Sequence, residues 1–435
     1  MTLADFVTDA CSLLDPTSGA MQKIAAEFAA AMHDGLEGGA SPLRMLPAYI
    51  ARPTGGERGT AVAIDFGGTN VRIAKMRLAD GRVQSNVPVA FSLKDPGGTY
   101  DYTREQIRAE DLFDFIAGHV VDVLEGDRST LPLGHTFSFP CRQEGINRAV
   151  LIQWTKEIRT SGVEGRDVTR LLAEALDRQG ARNVLPRAVI NDTVGTLLAA
   201  AYEFREVDLG SICGTGHNTC YLEPCHPLTG KPMIVNIESG NFDGVPLTRF
   251  DREVNEASGH PGAQMLEKMV SGAYLGEVML SVLRAMAAEG FLDGDTERWE
   301  RGTLTSVHLT RILEDGPDGD SAKNITRSRL GLPELSGEQL LALRRLAKSV
   351  TQRSARLVGA TYAGILRHLD PRNEREHIVA IDGSLYAHIP GYDAGIRAGL
   401  EAALGMGARG VTTRLVKDGS GIGAAIAALV ADANA

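Results

Sequence analysis

Two glycine turns do most to restrict the folds open to this chain. Each closes an apolar run. TAVAIDFGG (60–68) leads into Asp65-Phe66-Gly67-Gly68-Thr69-Asn70, and the run from Leu209 leads into Gly214-Thr215-Gly216. Each also opens a similar succession of elements. After the first turn, NVRIAKMRL (70–78) alternates as a second strand, Asp80-Gly81 signals a hairpin, and RVQSNVPVAFSL (82–93) offers a third strand. A helix over 111–125, a strand over 133–139, a helix over 165–179, a strand over 187–191 and a helix over 193–204 are predicted next. After the second turn the expected strands are Thr219 to Glu223 and Met233 to Glu238, followed by helical segments over 261–289 and 338–368. A strand over 377–382, a helix over 392–404, a strand over 411–417 and a helix from 422 complete the series. The first fifty residues read as helices broken at Pro16 and at the Gly35–Gly39 cluster, and 314–336 reads as loop. Strands alternating with helices predict an α/β protein with mixed sheets flanked by helices. Two copies of one unit predict two lobes facing a cleft, with both glycine turns placed to hold one phosphorylated ligand.

A buried strand ending in Asp65 presents a carboxylate at the sheet edge, while Gly67 and Gly68 let backbone N–H groups approach a ligand and Thr69 adds a hydroxyl. That pattern suits phosphate with a Mg²⁺ ion near Asp65, and it also suits an ordinary tight hairpin. Asn191-Asp192-Thr193 lies at a strand-to-helix junction, where Asp192 is either the helix N-cap or a general base for a hydroxyl proton. The run from Gly419 to Ala424 fits the dinucleotide pattern G-x-G-x-x-G/A, but too few residues follow for the further strand and acid of that unit. It remains a candidate nucleotide-contacting glycine loop. Cys213, His217, Cys220, Cys225 and His226 lack the paired spacing of structural zinc, and no G-x-x-x-x-G-K-[ST] occurs.

The net charge of −10 argues against nucleic acid or an anionic membrane as partner, so an anion must be held by local donors. Five cysteines do not make a disulfide framework, and neither a basic-then-apolar leader nor an 18-residue apolar run is present. These features predict a cytoplasmic protein.

Together these segments resemble the hexokinase family of sugar kinases, within the actin-like ATPase (ribonuclease H-like) fold, from about residue 20 onward. AIDFGGTNVR (63–72) is similar to the first phosphate motif, and TFSFPCRQ (136–143) with LIQWTK (151–156) to the sugar signature. INDTVGTL (190–197) is similar to the catalytic-base segment and CGTGHNTCYL (213–222) to the second phosphate motif. NIESGNFDG (236–244), PGAQMLEKMVSGAYLGE (261–277), IDGSLYAHIPGY (381–392) and KDGSGIGAA (417–425) follow in family order.

The resemblance implies ATP-dependent transfer of phosphate to the 6-hydroxyl of a hexose, D-glucose first among them, as the entry step of glycolysis. The alternative is a catalytically weak sugar-binding regulatory protein. Asp192 becomes the general base, with Lys156 facing the transferring phosphate. Ser138, Thr155, Lys156, Asn191, Asn218, Glu238 and Glu267 are implied to bind the sugar. Asp65 is implied to hold Mg²⁺ through water. Gly67, Gly68, Thr69, Asn70, Gly214, Thr215 and Gly216 would line the phosphates of ATP, with Gly383, Ser384, Gly419, Ser420 and Gly421 beside the nucleoside. The implied lobes are 57–190 plus 422–435 and 1–56 plus 191–421, in a monomer or homodimer that closes around the sugar. Four positions depart from the family pattern: Glu157, Ile158, His217 and Ser239. All four are expected to flank the sugar or phosphates and to bear on which hexose is preferred.

Overall fold

The chain begins with two helices, α1 (Leu3–Leu13) and α2 (Ser18–Leu36), whose N-caps Thr2 and Thr17 accept the backbone N–H of Asp5 and Ala20. This computed structural model describes residues 1–85, 88–155, 158–204, 206–316 and 318–433. After the glycine cluster comes the short strand β1 (Leu46–Pro47). The first sheet follows, with β2 (Gly59–Phe66), β3 (Asn70–Ala79), β4 (Arg82–Ser85) and β5 (Val89–Ser92). After α3 (Ala109–Leu124) it continues with β6 (Leu131–Phe137), the hairpin β7 (Cys141–Gly145) and β8 (Arg148–Leu151), α4 (Val168–Arg178) and β9 (Val184–Ile190). The sheet order is β4-β3-β2-β6-β9, with β5 also on β3 and the β7–β8 hairpin separate.

The second half is built from α5 (Asp192–Glu203), β10 (Val207–Cys213), β11 (His217–Glu223) and β12 (Met233–Asn236). Next come α6 (Arg249–Glu256), α7 (Met265–Val270), α8 (Gly272–Ala288), α9 (Ser306–Glu314), α10 (Asp320–Leu330) and the long α11 (Gly337–Leu369). It closes with β13 (His377–Asp382), α12 (Ser384–His388), α13 (Tyr392–Leu404), β14 (Val411–Leu415) and α14 (Gly419–Asp432). Its sheet order is β1-β12-β11-β10-β13-β14. In each half an antiparallel pair (β2–β3, β10–β11) is tipped by a glycine turn, and its first strand pairs in parallel with a later one (β6, β13). The repeat read from the sequence is therefore a repeat of topology.

Residue size decides what each sheet face receives. On β2, Val62, Ile64 and Phe66 pack into one core with Leu112, Phe113 and Ile116 of α3 and Leu171 and Leu172 of α4. The alternate residues Ala61 and Ala63 join a different core with Ala424, Ala425 and Ala428 of α14. Small residues let that last helix lie close. A side chain at Gly134 of β6 would run into the Ala424 carbonyl, and one at Gly423 would run into Gly195 of α5. Thr136 donates its hydroxyl to the Ser420 carbonyl at 2.8 Å. The last helix thus covers the first sheet while α5 bridges to the second sheet, with Val194, Leu197 and Leu198 packed among Val207, Cys220 and Ala380. On the other face of the second sheet, α11 packs with α2 and α13 in the largest core.

Several sequence expectations are corrected. The 314–336 stretch contains α10, which buries Ala322, Ile325, Thr326 and Leu330 at helical spacing. The single segment expected over 261–289 is two helices parted at Ser271, and 261–264 is not helical. The third strand over 82–93 is two strands, with residues 86 and 87 outside the described set. The final helix starts at Gly419, so Gly419, Ser420 and Gly421 form a helical first turn rather than a free loop.

Candidate active site

At the junction that carries Asp192, the helix cap falls on its neighbour. Asn191 is the N-cap of α5, and its Oδ1 accepts from the Thr193 N–H at 3.0 Å and the Thr193 hydroxyl at 2.7 Å. With the cap supplied by Asn191, Asp192 is the first helical residue and its carboxylate has only to accept the Thr193 N–H, at 2.9 Å, within its own turn. The cap expected at Asp192 is therefore one residue earlier.

A ladder of amides connects this junction to Glu238. Asn218 stands on β11 opposite Ile212 of β10. Its Nδ2 donates to Asn236 Oδ1 at 2.8 Å and reaches Asn191 Oδ1 and Glu238 Oε1 at 3.4 and 3.5 Å. Its Oδ1 accepts the N–H of Ser239 at 3.2 Å. Asn236 Nδ2 in turn donates to Glu238 Oε1 at 2.8 Å. Glu238 is held with φ at +57°, a left-handed conformation costly for a residue with a Cβ and one that collects at functional sites. Glu267 of α7 lies beside the second glycine turn, accepting the His217 N–H at 3.4 Å. A Cβ on Gly240 would stand 2.6 Å from Glu267 Oε2 and one on Gly216 3.4 Å from its Oε1, so those two glycines make room for this carboxylate. Asn191, Asn218, Glu238 and Glu267 are thus brought together, with Asp192 next in the chain.

The wall opposite comes from the first sheet. A pocket is lined by Phe137, Phe139 and Cys141 on that side and by Asn191, Asn236 and Glu238 on the other. Burial, with the Glu238 carboxylate nearby, pushes the Cys141 thiol up to about 12, so it is no nucleophile. Ser138 donates its backbone N–H to the Phe66 carbonyl, which sets the sugar signature directly beside the first glycine turn. Thr155 is half-buried in a loop fixed by Trp154, whose N–H donates to Glu164 Oε1 at 2.7 Å and whose indole donates to the Thr160 carbonyl at 2.8 Å. Lys156 and Glu157 lie outside the described residues.

The loops assigned to nucleotide form a continuous chain of contacts. Asp65, one residue before the end of β2, stands opposite Arg72 of β3. Arg72 pairs with Asp418 at 3.3 Å, next to Gly419. Thr69 at the first turn accepts the Leu93 N–H, and Asn70 opens β3. The second turn is held by α8, since the Gly272 and Ala273 N–H groups donate to the Gly214 and Thr215 carbonyls at 2.8 and 3.0 Å. Gly383 has φ at +121°, and a Cβ there would collide with Cys213, while one on Gly214 would stand 3.5 Å from Gly383 Cα. Ser384 follows, exposed, at the start of α12. The donor set suits the expected cofactor: a hard carboxylate oxygen at a strand end and glycine turns whose N–H groups can meet phosphate.

Three departures from the family pattern turn out to be interior. Ile158 is 3% exposed within the core that the first sheet shares with α3 and α4. Ser239 is buried with its hydroxyl on Thr219. His217 is buried with Nδ1 3.1 Å from the Ile212 carbonyl, and burial pushes it down to about 4. They act on the cleft only through what they support. Among residues not singled out from sequence, Arg72, Asn236 and Asp382 belong to the site. All three sit inside quoted motifs, and strand pairing, through Cys220↔Asn236, sets Asn236 beside β11.

Two hexokinase family models match the chain, over residues 7–202 and 208–430. The chain belongs to the hexokinase family. It is 36% identical over 94% of its length to human hexokinase-3, and 36% identical over 94% to the rice chloroplastic hexokinase-4. The chain spans about half of the mammalian relatives, 45% of human hexokinase-3, and 85% of the rice protein. A crystal structure of a hexokinase superposes with a TM-score of 0.88 at 32% identity, covering 98% of this chain and 99% of the other. A Schistosoma mansoni hexokinase complexed with glucose gives 0.83 at 31%, covering 98% and 100%. A Thermus thermophilus ROK hexokinase, at 17% identity and a TM-score of 0.50, shares the fold. These hexokinases share the mixed sheets flanked by helices of the actin-like ATPase fold.

Proposed function

We propose that this chain is an ATP-dependent hexokinase that phosphorylates the 6-hydroxyl of a hexose, with D-glucose the first substrate to try. The observation that carries this reading is the Asn218–Asn236 amide ladder, which runs from Asn191, the residue before Asp192, to Glu238, with Glu267 on the His217 N–H beside it. A polyhydroxylated ring needs such a ring of acceptors and donors, and a carboxylate at a helix start can accept the attacking hydroxyl's proton. The glucose complex of the Schistosoma hexokinase supports the choice of sugar.

In this reading Ser138, Thr155, Asn191, Asn218, Glu238 and Glu267 orient the hexose, and Asp192 takes the 6-hydroxyl proton. The oxygen then forms its bond to the γ-phosphorus of ATP as the bond to the ADP oxygen breaks, with Lys156 facing the transferred group. Asp65 would hold Mg²⁺ through water, and that ion supplies charge neutralisation on the phosphates. The glycine turns and the pairing of Arg72 bring fixed donors and positive charge where the chain as a whole is negative. Lobe closure, cytoplasmic location, a place at the entry to glycolysis and a monomeric or dimeric state belong to the same proposal.

A coupled assay for hexose 6-phosphate, run over a panel of hexoses with ATP and other donors, tests it. Asp192→Ala should lower kcat by about 10²–10⁴-fold. Equal rates for the wild type and Asp192→Ala on every hexose would refute catalysis and leave a sugar-binding regulatory protein.

A further inference from the structure

Asp382 ends β13, at the point where the parallel strands β10, β13 and β14 deliver their C-terminal ends. Ligands of open α/β sheets gather at such ends. Its two carboxylate oxygens are divided between two loops. Oδ1 accepts the Gly383 N–H at 2.7 Å and Oδ2 accepts the Gly419 N–H at 3.2 Å. Neither loop can supply this link itself. Gly383 is left-handed and pressed against Cys213 and Gly214, and Asp418, the residue before α14, is left-handed and makes no side-chain cap. The first N–H of α14 is thus capped from a strand of the other sheet.

The far side of α14 is equally constrained. Its first turn is bonded to Thr136 of β6, and Gly195 of α5 sits against Ser420 with no room for a side chain. One carboxylate therefore stands between the second sheet and the helix that covers the first sheet. Burial, and the facing charges of Asp418 and Asp192, raise its pKa above the ordinary carboxylate range, which places it within electrostatic reach of the proposed base.

We propose that Asp382 is a positioning residue for the nucleotide. By bonding Gly383 and Gly419 together, it sets the gap between the glycine turn after β13 and the first turn of α14, which receive the nucleoside, and it ties that gap to the position of the first sheet. This rests on the hexokinase reading for the identity of the nucleotide.

The test uses the full chain carrying Asp382→Ala or Asp382→Asn, with MgADP affinity measured by calorimetry and KM for MgATP and for hexose measured separately. Loss of both bonds should weaken MgADP and raise KM for MgATP on the order of tenfold, with KM for hexose within about twofold. Asp382→Asn should fall between, because its amide oxygen still accepts from Gly383 while its NH₂ group opposes the Gly419 N–H. Unchanged MgADP affinity in the variants overturns the proposal. So does an equal shift in both KM values accompanied by a lower urea midpoint, which would mark a merely structural role. If Asp382→Ala does not fold, Asp382→Asn decides on the same criteria. A wild type that phosphorylates no hexose would sink the functional reading while the calorimetry still decided the role of Asp382.

Discussion

His135 offers a sharp test of how the core beneath the first sheet is held. It lies on β6, on the face that meets α3 and α4, with ring centroids 6.3 Å from Phe66 and 5.2 Å from Phe137. It is 2% exposed, and neither ring nitrogen has a hydrogen-bond partner among the described residues. Burial alone pushes its pKa down to about 3. In the unfolded chain the ordinary value of roughly 6.5 returns. The sign follows directly. Below pH 6.5 the unfolded chain binds a proton that the folded chain refuses, so stability is full above that pH and falls as pH drops toward 3. At pH 5 the loss is about 2 kcal/mol from this one residue. His135→Phe removes the titration while filling the site with a ring of similar shape. Urea denaturation of both proteins at pH 7 and pH 5 isolates the effect, because any packing change in the variant is present at both pH values. His217, also pushed down by burial, loses stability in the same direction but is common to both proteins. The wild type should lose about 2 kcal/mol more than His135→Phe between the two pH values. An equal loss in the two proteins, within about 0.5 kcal/mol, would refute the claim that His135 is buried neutral.

Two further substitutions probe other joints. Gly134→Ala places a methyl against the Ala424 carbonyl and should cost about 1–3 kcal/mol in urea melts, with weaker MgADP binding because α14 carries the Gly419–Gly421 turn. An unchanged midpoint would mean that α14 does not approach β6 so closely. Arg353→Met breaks a doubly bonded pair with Asp251, at 2.7 and 2.8 Å and 3% exposed on each side, and should cost about 3–5 kcal/mol. Adding Asp251→Asn, which removes the stranded charge but keeps an acceptor for the Thr248 N–H and hydroxyl, should recover part of that loss, and failure to recover would show that the pair contributes more than charge compensation.

What the sequence disclosed was local. The apolar run into Asp65 and its two glycines, and the second run into Gly214, identify the turns because strand, acid and glycine are adjacent in the chain. Asp192 was visible but its cap was not, since Asn191 and Asp192 are both good caps and only the backbone separates them. The helix α10 was hidden by the Gly, Asp and Pro that surround it, although Ala322, Ile325, Thr326 and Leu330 carry its period. The bonds from Asn218 to Asn236 and from Asp382 to Gly419 depend on strand pairing and on contacts between distant segments, which no local window contains. Ile158, His217 and Ser239 lie beside cleft residues in the chain, but all three side chains are buried: His217 on β11, Ser239 in a short 3-10 turn and Ile158 in a loop.

The close seat of α14 on the first sheet also sets an order of events during synthesis. Strands β2 and β6 leave the ribosome well before α14, so the face carrying Ala61, Ala63 and Gly134 stays uncovered until residues 419–432 follow. The first sheet is therefore finished only by a segment made long after its strands. Pairing so distant is slow to close, and until it does the growing chain displays an unprotected apolar sheet face to the chaperones and neighbours it meets.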